Sequence, residues 1–150
     1  MWLEQLLGNK TFFIVLIAWT LSCIIKGAIV FTRDKKIDWT RFMGSGGMPS
    51  SHSTLVTSLA TCVGFYNGLD SAEFVICLAL AFVVMYDASG VRRAAGKHAS
   101  VINMIVDVLA ETSEIKKEEK LKELLGHKPI EVLAGAILGV VLALAGCLTL

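Results

Sequence analysis

The side chains capable of chemistry fall into three clusters. Lys26 and Arg33 form the first, and Gly46-Gly47-Met48-Pro49-Ser50-Ser51-His52-Ser53 the second. The third is split between Asp87 with Arg92-Arg93 and the run Gly126-His127-Lys128-Pro129-Ile130-Glu131. The second cluster and the last run each stand where an apolar stretch begins, so each is expected to open a helix. Free N–H groups and the positive end of the dipole make such an end suit an anion. Two helix starts, several cations and two histidines are the make-up of a phosphate site. A phosphoryl group in transfer needs cations and N–H donors around its equatorial oxygens. Without a metal, one imidazole can attack phosphorus and a second can protonate the leaving oxygen. A carboxylate can fix the attacking ring's tautomer and steady its developing charge. Glu131 follows His127 by four positions, which shares a helix face if the helix begins early enough.

The elements that must hold these groups are membrane helices. The 150 residues are 55% hydrophobic and 18% charged, with a mean hydropathy of +0.67; soluble domains carry about 45–50% apolar and about 25% charged residues. A net charge of +1 argues against nucleic acid as a partner, because phosphate-backbone binding needs a basic excess. Residues 11–31, 49–69, 71–89 and 132–150 are each long and apolar enough to be read as a span, and satisfying the backbone inside lipid makes each a helix. The first is too long for a signal peptide's core and lacks a small-residue cleavage site, so it is read as retained. Asp70 with Glu73 predicts an N-cap for the third span, just after the Asn67-Gly68 turn.

With four spans, the connections after the first and third share one face, and every lysine and arginine except Lys10 falls there. Positive-inside bias puts that face in the cytoplasm of a multi-pass cell-membrane protein, with both termini outside. Residues 97–125 form the one long polar insertion. Within it Val101, Ile102, Met104, Ile105, Val108 and Leu109 keep helical spacing, which predicts an amphipathic helix lying in the interface or folding back over the bundle. The mixed charges of residues 111–123 read as a solvated helix or linker. Gly135, Gly139 and Ala143 recur every four residues and allow close helix approach, within the bundle or in a homo-oligomer. Cys23, Cys62, Cys77 and Cys147 sit in apolar stretches without metal or disulfide spacing, as small buried hydrophobes. The expected fold is an all-α integral membrane protein: one domain, a bundle of four transmembrane helices and a cytoplasmic amphipathic helical insertion.

Across about residues 26–139 the motifs, in order, resemble those of the type 2 phosphatidic acid phosphatase and vanadium haloperoxidase superfamily, in its small divergent branch. That family's signature is K-x6-R-P, then P-S-G-H, then S-R-x5-H-x3-D. Lys26 and Arg33 have the first spacing, with Asp34 for proline; Pro49-Ser50-Ser51-His52 matches the second, with serine for glycine. His127-x3-Glu131 matches the end of the third, with glutamate for aspartate, and Leu121 stands where its arginine would be. That arginine's role falls to Arg92 or Arg93, with the amphipathic segment inserted between the motif's halves. Arg92-x5-His98 has the same spacing, but Ile102 follows where the acid belongs.

The resemblance implies a metal-independent phosphatase without a cofactor. His127 would be the nucleophile that becomes phosphohistidine, Glu131 its orienter and His52 the general acid. Lys26, Arg33, Ser50, Ser51, Arg92 and Arg93 would bind phosphate, with Asp87, Arg41 and Gly47 in support. Arg41 or Lys36 can stand in for Arg33, Asp87 can pair with either neighbouring arginine, and Gly47 reads as a hinge. The implied substrate is a membrane lipid phosphate: phosphatidylglycerophosphate, phosphatidic acid or a prenyl diphosphate. Two other classes fit the same residues: a module that binds or transports a lipid phosphate or anion without hydrolysis, and a structural protein associating through its small-residue face.

Overall fold

The computed structural model describes residues 2–35, 47–112, 121 and 126–149. Among these residues every regular element is an α-helix: α1 (Trp2–Leu7), α2 (Lys10–Asp34), α3 (Ser51–Asn67), α4 (Ala72–Ser89), α5 (Val91–Thr112) and α6 (Pro129–Thr149). Lys36, Arg41, Gly46 and most of the mixed-charge run lie outside the described residues, as do the side chains of Arg33 and Asp34.

Helix starts follow the local chemistry. Asn9 caps α2, its Oδ1 accepting the Phe12 N–H at 3.0 Å. The cap of α4 is Ser71, one residue beyond the expected Asp70. Its Oγ accepts the Phe74 N–H at 3.2 Å and donates to the Gly68 carbonyl at 2.7 Å. One hydroxyl thus caps the helix and closes the turn before it, a pairing that a carboxylate, which only accepts, cannot make.

The described residues set one of the four expected spans apart from the other three. Three stretches are long and apolar enough to cross a bilayer: Lys10–Thr32, Ala72–Leu109 and Pro129–Thr149. The second segment instead forms α3, only 17 residues long, or about 25 Å at 1.5 Å per residue. This helix packs against α2, α4 and α6 and is the most enclosed of the set. Its buried positions include Ser51, Ser53, Thr54, Thr57 and Ser58.

A helix so rich in hydroxyls is suited to an interior lined by other helices, where every polar group finds an acceptor. Thr57 Oγ1 donates to the Ser53 carbonyl at 2.8 Å, and Ser58 Oγ to that of Leu55 at 2.9 Å. Two hydroxyls also reach across to α6, where Thr54 Oγ1 lies 2.9 Å from the Gly135 carbonyl and Thr57 Oγ1 3.2 Å from that of Ala136. Close approach makes these bonds possible. A methyl group on Gly135 would strike the Ser50 backbone, and one on Gly139 would strike Thr54 and the Thr57 hydroxyl. The small-residue stripe of α6 is therefore occupied within the chain: Gly135, Gly139 and Ala143 are buried. The outer surface is the reverse of a soluble protein's, with Ile17, Ile24, Phe82, Val83, Ile137 and Val141 exposed.

Candidate phosphate site

Three chain junctions meet at one end of α3. Before it, Gly47 has φ 90°, a backbone setting that favours glycine, and its Cα side lies on the Lys26 stem; an added Cβ would stand 3.2 Å from Lys26 Cδ. The Met48-Pro49 peptide is cis. Ser50 is the N-cap of α3, its Oγ accepting from the Ser53 backbone at 3.4 Å and from Ser53 Oγ at 3.0 Å. The Ser50 N–H donates to the Glu131 carbonyl at 3.0 Å, which ties the start of α3 to the first turn of α6.

The second junction carries His127. Gly126 has φ 85°, and its Cα rests on the backbone of Arg92 and Arg93; an added Cβ would lie 2.7 Å from the Arg93 Cα. The His127 N–H donates to the Ala88 carbonyl at 2.9 Å. Helix α6 begins only at Pro129, where a proline costs no hydrogen bond. His127 therefore precedes the helix, and the four-residue spacing does not put it on one helical face with Glu131. Instead Glu131 Oε2 accepts the Lys128 N–H at 3.0 Å, the carboxylate half of a capping box. That bond fixes the turn that presents His127.

The third junction is the break at Gly90 between α4 and α5. There Asp87 Oδ2 takes Arg92 Nε at 2.6 Å. Asp87, Arg92, His52, His127, Val84 and Ala88 line one small cleft that is open in part to solvent. Lys26 lies buried beside it, 1% exposed, within Coulombic reach of His52, His127 and Glu131. It does not snorkel to the surface.

His127 is 2% exposed. Burial pushes its pKa down to about 4, and the positive charges of Lys26, His52 and Arg92 add to the effect. The ring is neutral at physiological pH, the form in which an imidazole nitrogen carries a nucleophilic lone pair. A cleft that combines a neutral buried imidazole, a second imidazole and a guanidinium, with the Lys26 ammonium buried beside it, presents the groups that phosphoryl chemistry uses.

Of the residues expected at a site, the cleft gathers His127, His52, Asp87 and Arg92, with Lys26 and Glu131 beside it. Ser50 and Ser51 are buried at the start of α3. Arg93 is exposed and contributes its backbone as the floor beneath Gly126. His98 lies exposed on α5, outside the cleft. Sequence reasoning missed Val84 and Ala88, and named Gly126 in the run before α6 without giving it a role.

Comparison with known proteins decides the family. The profile of the divergent PAP2 family matches residues 7–142. The chain belongs to the divergent PAP2 family. Among curated relatives, the uncharacterized membrane protein YuiD of Bacillus subtilis (strain 168) is 42% identical over 150 positions, covering 93% of this chain and 95% of its own length. No solved structure matches the chain. The match to the divergent PAP2 profile contains every cleft residue named above, and the three long apolar helices make this member an integral membrane protein.

Proposed function

We propose that the chain is a metal-independent lipid-phosphate phosphatase working through a phosphohistidine. The observation that carries this reading is the convergence of His52 and His127, far apart in the sequence, on one cleft with Asp87 and Arg92. A ring nitrogen of neutral His127 attacks phosphorus, and the P–O bond to the lipid breaks as His52 gives its proton to the leaving oxygen. Water then attacks the phosphohistidine while His52 takes the water's proton. Inorganic phosphate leaves and both rings return to their starting states.

Lys26 and Arg92 neutralise the phosphoryl oxygens, with the N-terminal turn of α3 at Ser50 and Ser51 completing the cradle, and Arg33 is assigned to the same oxygens on its motif spacing alone. Arg93 and Arg41 are assigned as auxiliary cations, and Gly47 keeps the Lys26 stem in place. Glu131 acts through the turn it caps and through its charge near Lys26. The substrate is membrane-borne, with phosphatidylglycerophosphate, phosphatidic acid and prenyl diphosphates as the classes to compare. Basic residues gathered toward the site's end of the bundle favour a cytoplasmic-facing cleft. In that orientation α3 completes the membrane bundle as its short, protein-lined fourth member.

The test is phosphate release in detergent with chelator present, comparing the parent with His127→Ala and His52→Ala over that lipid panel. Release abolished by both substitutions is expected. A second reading, anion binding without turnover, is favoured by the Asp87–Arg92 pair, which already neutralises one cleft cation. No release from any lipid, with phosphate binding retained in both folded variants, would establish it instead.

A further inference from the structure

Helix α5 is amphipathic in the opposite sense from a helix on a soluble protein. Gly96, Ala99 and Asn103, spaced by three and four, form its covered side. Ala99 is 7% and Asn103 6% exposed, and the Asn103 amide makes a two-point clasp with Leu121. Its Nδ2 donates to the Leu121 carbonyl at 2.8 Å, and its Oδ1 accepts the Leu121 N–H at 2.9 Å. The apolar residues face outward: Val101 is 55%, Met104 63%, Ile105 53% and Val108 58% exposed. A face this apolar, turned away from the chain while small and polar groups turn inward, is stable only against something apolar.

Two features identify that medium. The face belongs to a helix that follows the spanning helix α4 directly, with only Gly90 between them. Exposed Arg93 and Lys97 stand in its first two turns, and an apolar face edged by cations fits anionic headgroups over acyl chains. We infer that α5 is seated in the lipid at the headgroup–acyl boundary, beside the mouth of the cleft that Arg92 lines. This seating replaces the two sequence expectations, interface or fold-back over the bundle, with the first. It holds whether or not the cleft hydrolyses its ligand.

The seating is tested in vesicles of phosphatidylcholine and phosphatidylglycerol. Spin labels are placed by Ile105→Cys and, as a water-facing reference, by Lys128→Cys, with the four native cysteines replaced. The label at 105 is expected to be relaxed severalfold more by oxygen than by a water-soluble nickel chelate, and the label at 128 in the reverse order. Equal chelate access at both positions would overturn the proposal in favour of a solvated helix. Exclusion of both reagents at 105, with label–label broadening that vanishes on dilution with unlabelled protein, would overturn it in favour of a second copy. Met104→Trp with the cysteines intact gives an independent reading: brominated lipid should quench its added fluorescence, and absence of quenching would sink the idea.

Discussion

At the residue scale, the decisive feature is a histidine kept neutral by its surroundings. The folded pKa of about 4 lies below the ordinary imidazole value of 6.5. The native state therefore refuses a proton that the unfolded chain accepts. The stability this contributes is complete above about pH 6.5 and is lost as pH falls toward 4, to a total of about 3 kcal/mol. Thermal unfolding in detergent should show that loss in the parent, and His127→Gln should flatten the slope across the same window. Asp87 makes a different prediction. It holds Arg92 through Nε at the cleft, yet it also places a negative charge where phosphate would sit. The pair is partly exposed, 49% for Arg92 and 37% for Asp87, so holding Arg92 contributes about 1 kcal/mol or less. Charge repulsion should win: Asp87→Asn is expected to tighten inhibition by inorganic phosphate a few-fold at low salt, with the difference shrinking as salt rises. Weaker inhibition would mean that holding Arg92 is the larger role.

At the element scale, the site depends on helix ends brought into contact by glycine. Gly126 has φ 85° and touches the backbone of Arg92 and Arg93, which cannot move aside as a side chain can. Gly126→Ala should displace His127 from Ala88 and reduce phosphate release by roughly tenfold or more, as misplacement of a reacting group by about 1 Å does. Spectroscopic helix content should stay unchanged. The α3–α6 contact makes a separate prediction, because its bonds lie inside the bundle. Thr54→Val removes the hydroxyl that reaches the Gly135 carbonyl and should cost about 0.5–2 kcal/mol, read from thermal unfolding. Gly139→Leu drives a side chain into Thr54 and Thr57 and should cost more, since backbone atoms must separate.

At the scale of the whole molecule, the proposed orientation rests on the charge asymmetry of the sequence. A cysteine at exposed Lys128 is expected to react with an impermeant thiol reagent only after the membrane is opened; labelling in intact cells would reverse the proposed orientation. Much of this architecture is legible without coordinates. Long apolar runs report lipid-facing helices because hydrophobicity is a local property of each residue, and the order of the motifs around Lys26, His52 and His127 identifies the family. The enclosed character of α3 was half legible, since the hydroxyls of Ser53, Thr54, Thr57 and Ser58 were in view but their acceptors on α6 were not. The choice of Arg92 over Arg93 to line the cleft and the capping role of Glu131 were not legible at all, and for α5 the apolar face was legible but not whether it turned outward or back over the bundle. Each depends on the direction in which a side chain leaves its backbone once distant segments have packed. Residue types and spacing determined which groups were available for phosphate chemistry; only the tertiary structure decided which of them meet, because meeting depends on contacts between residues far apart in the chain.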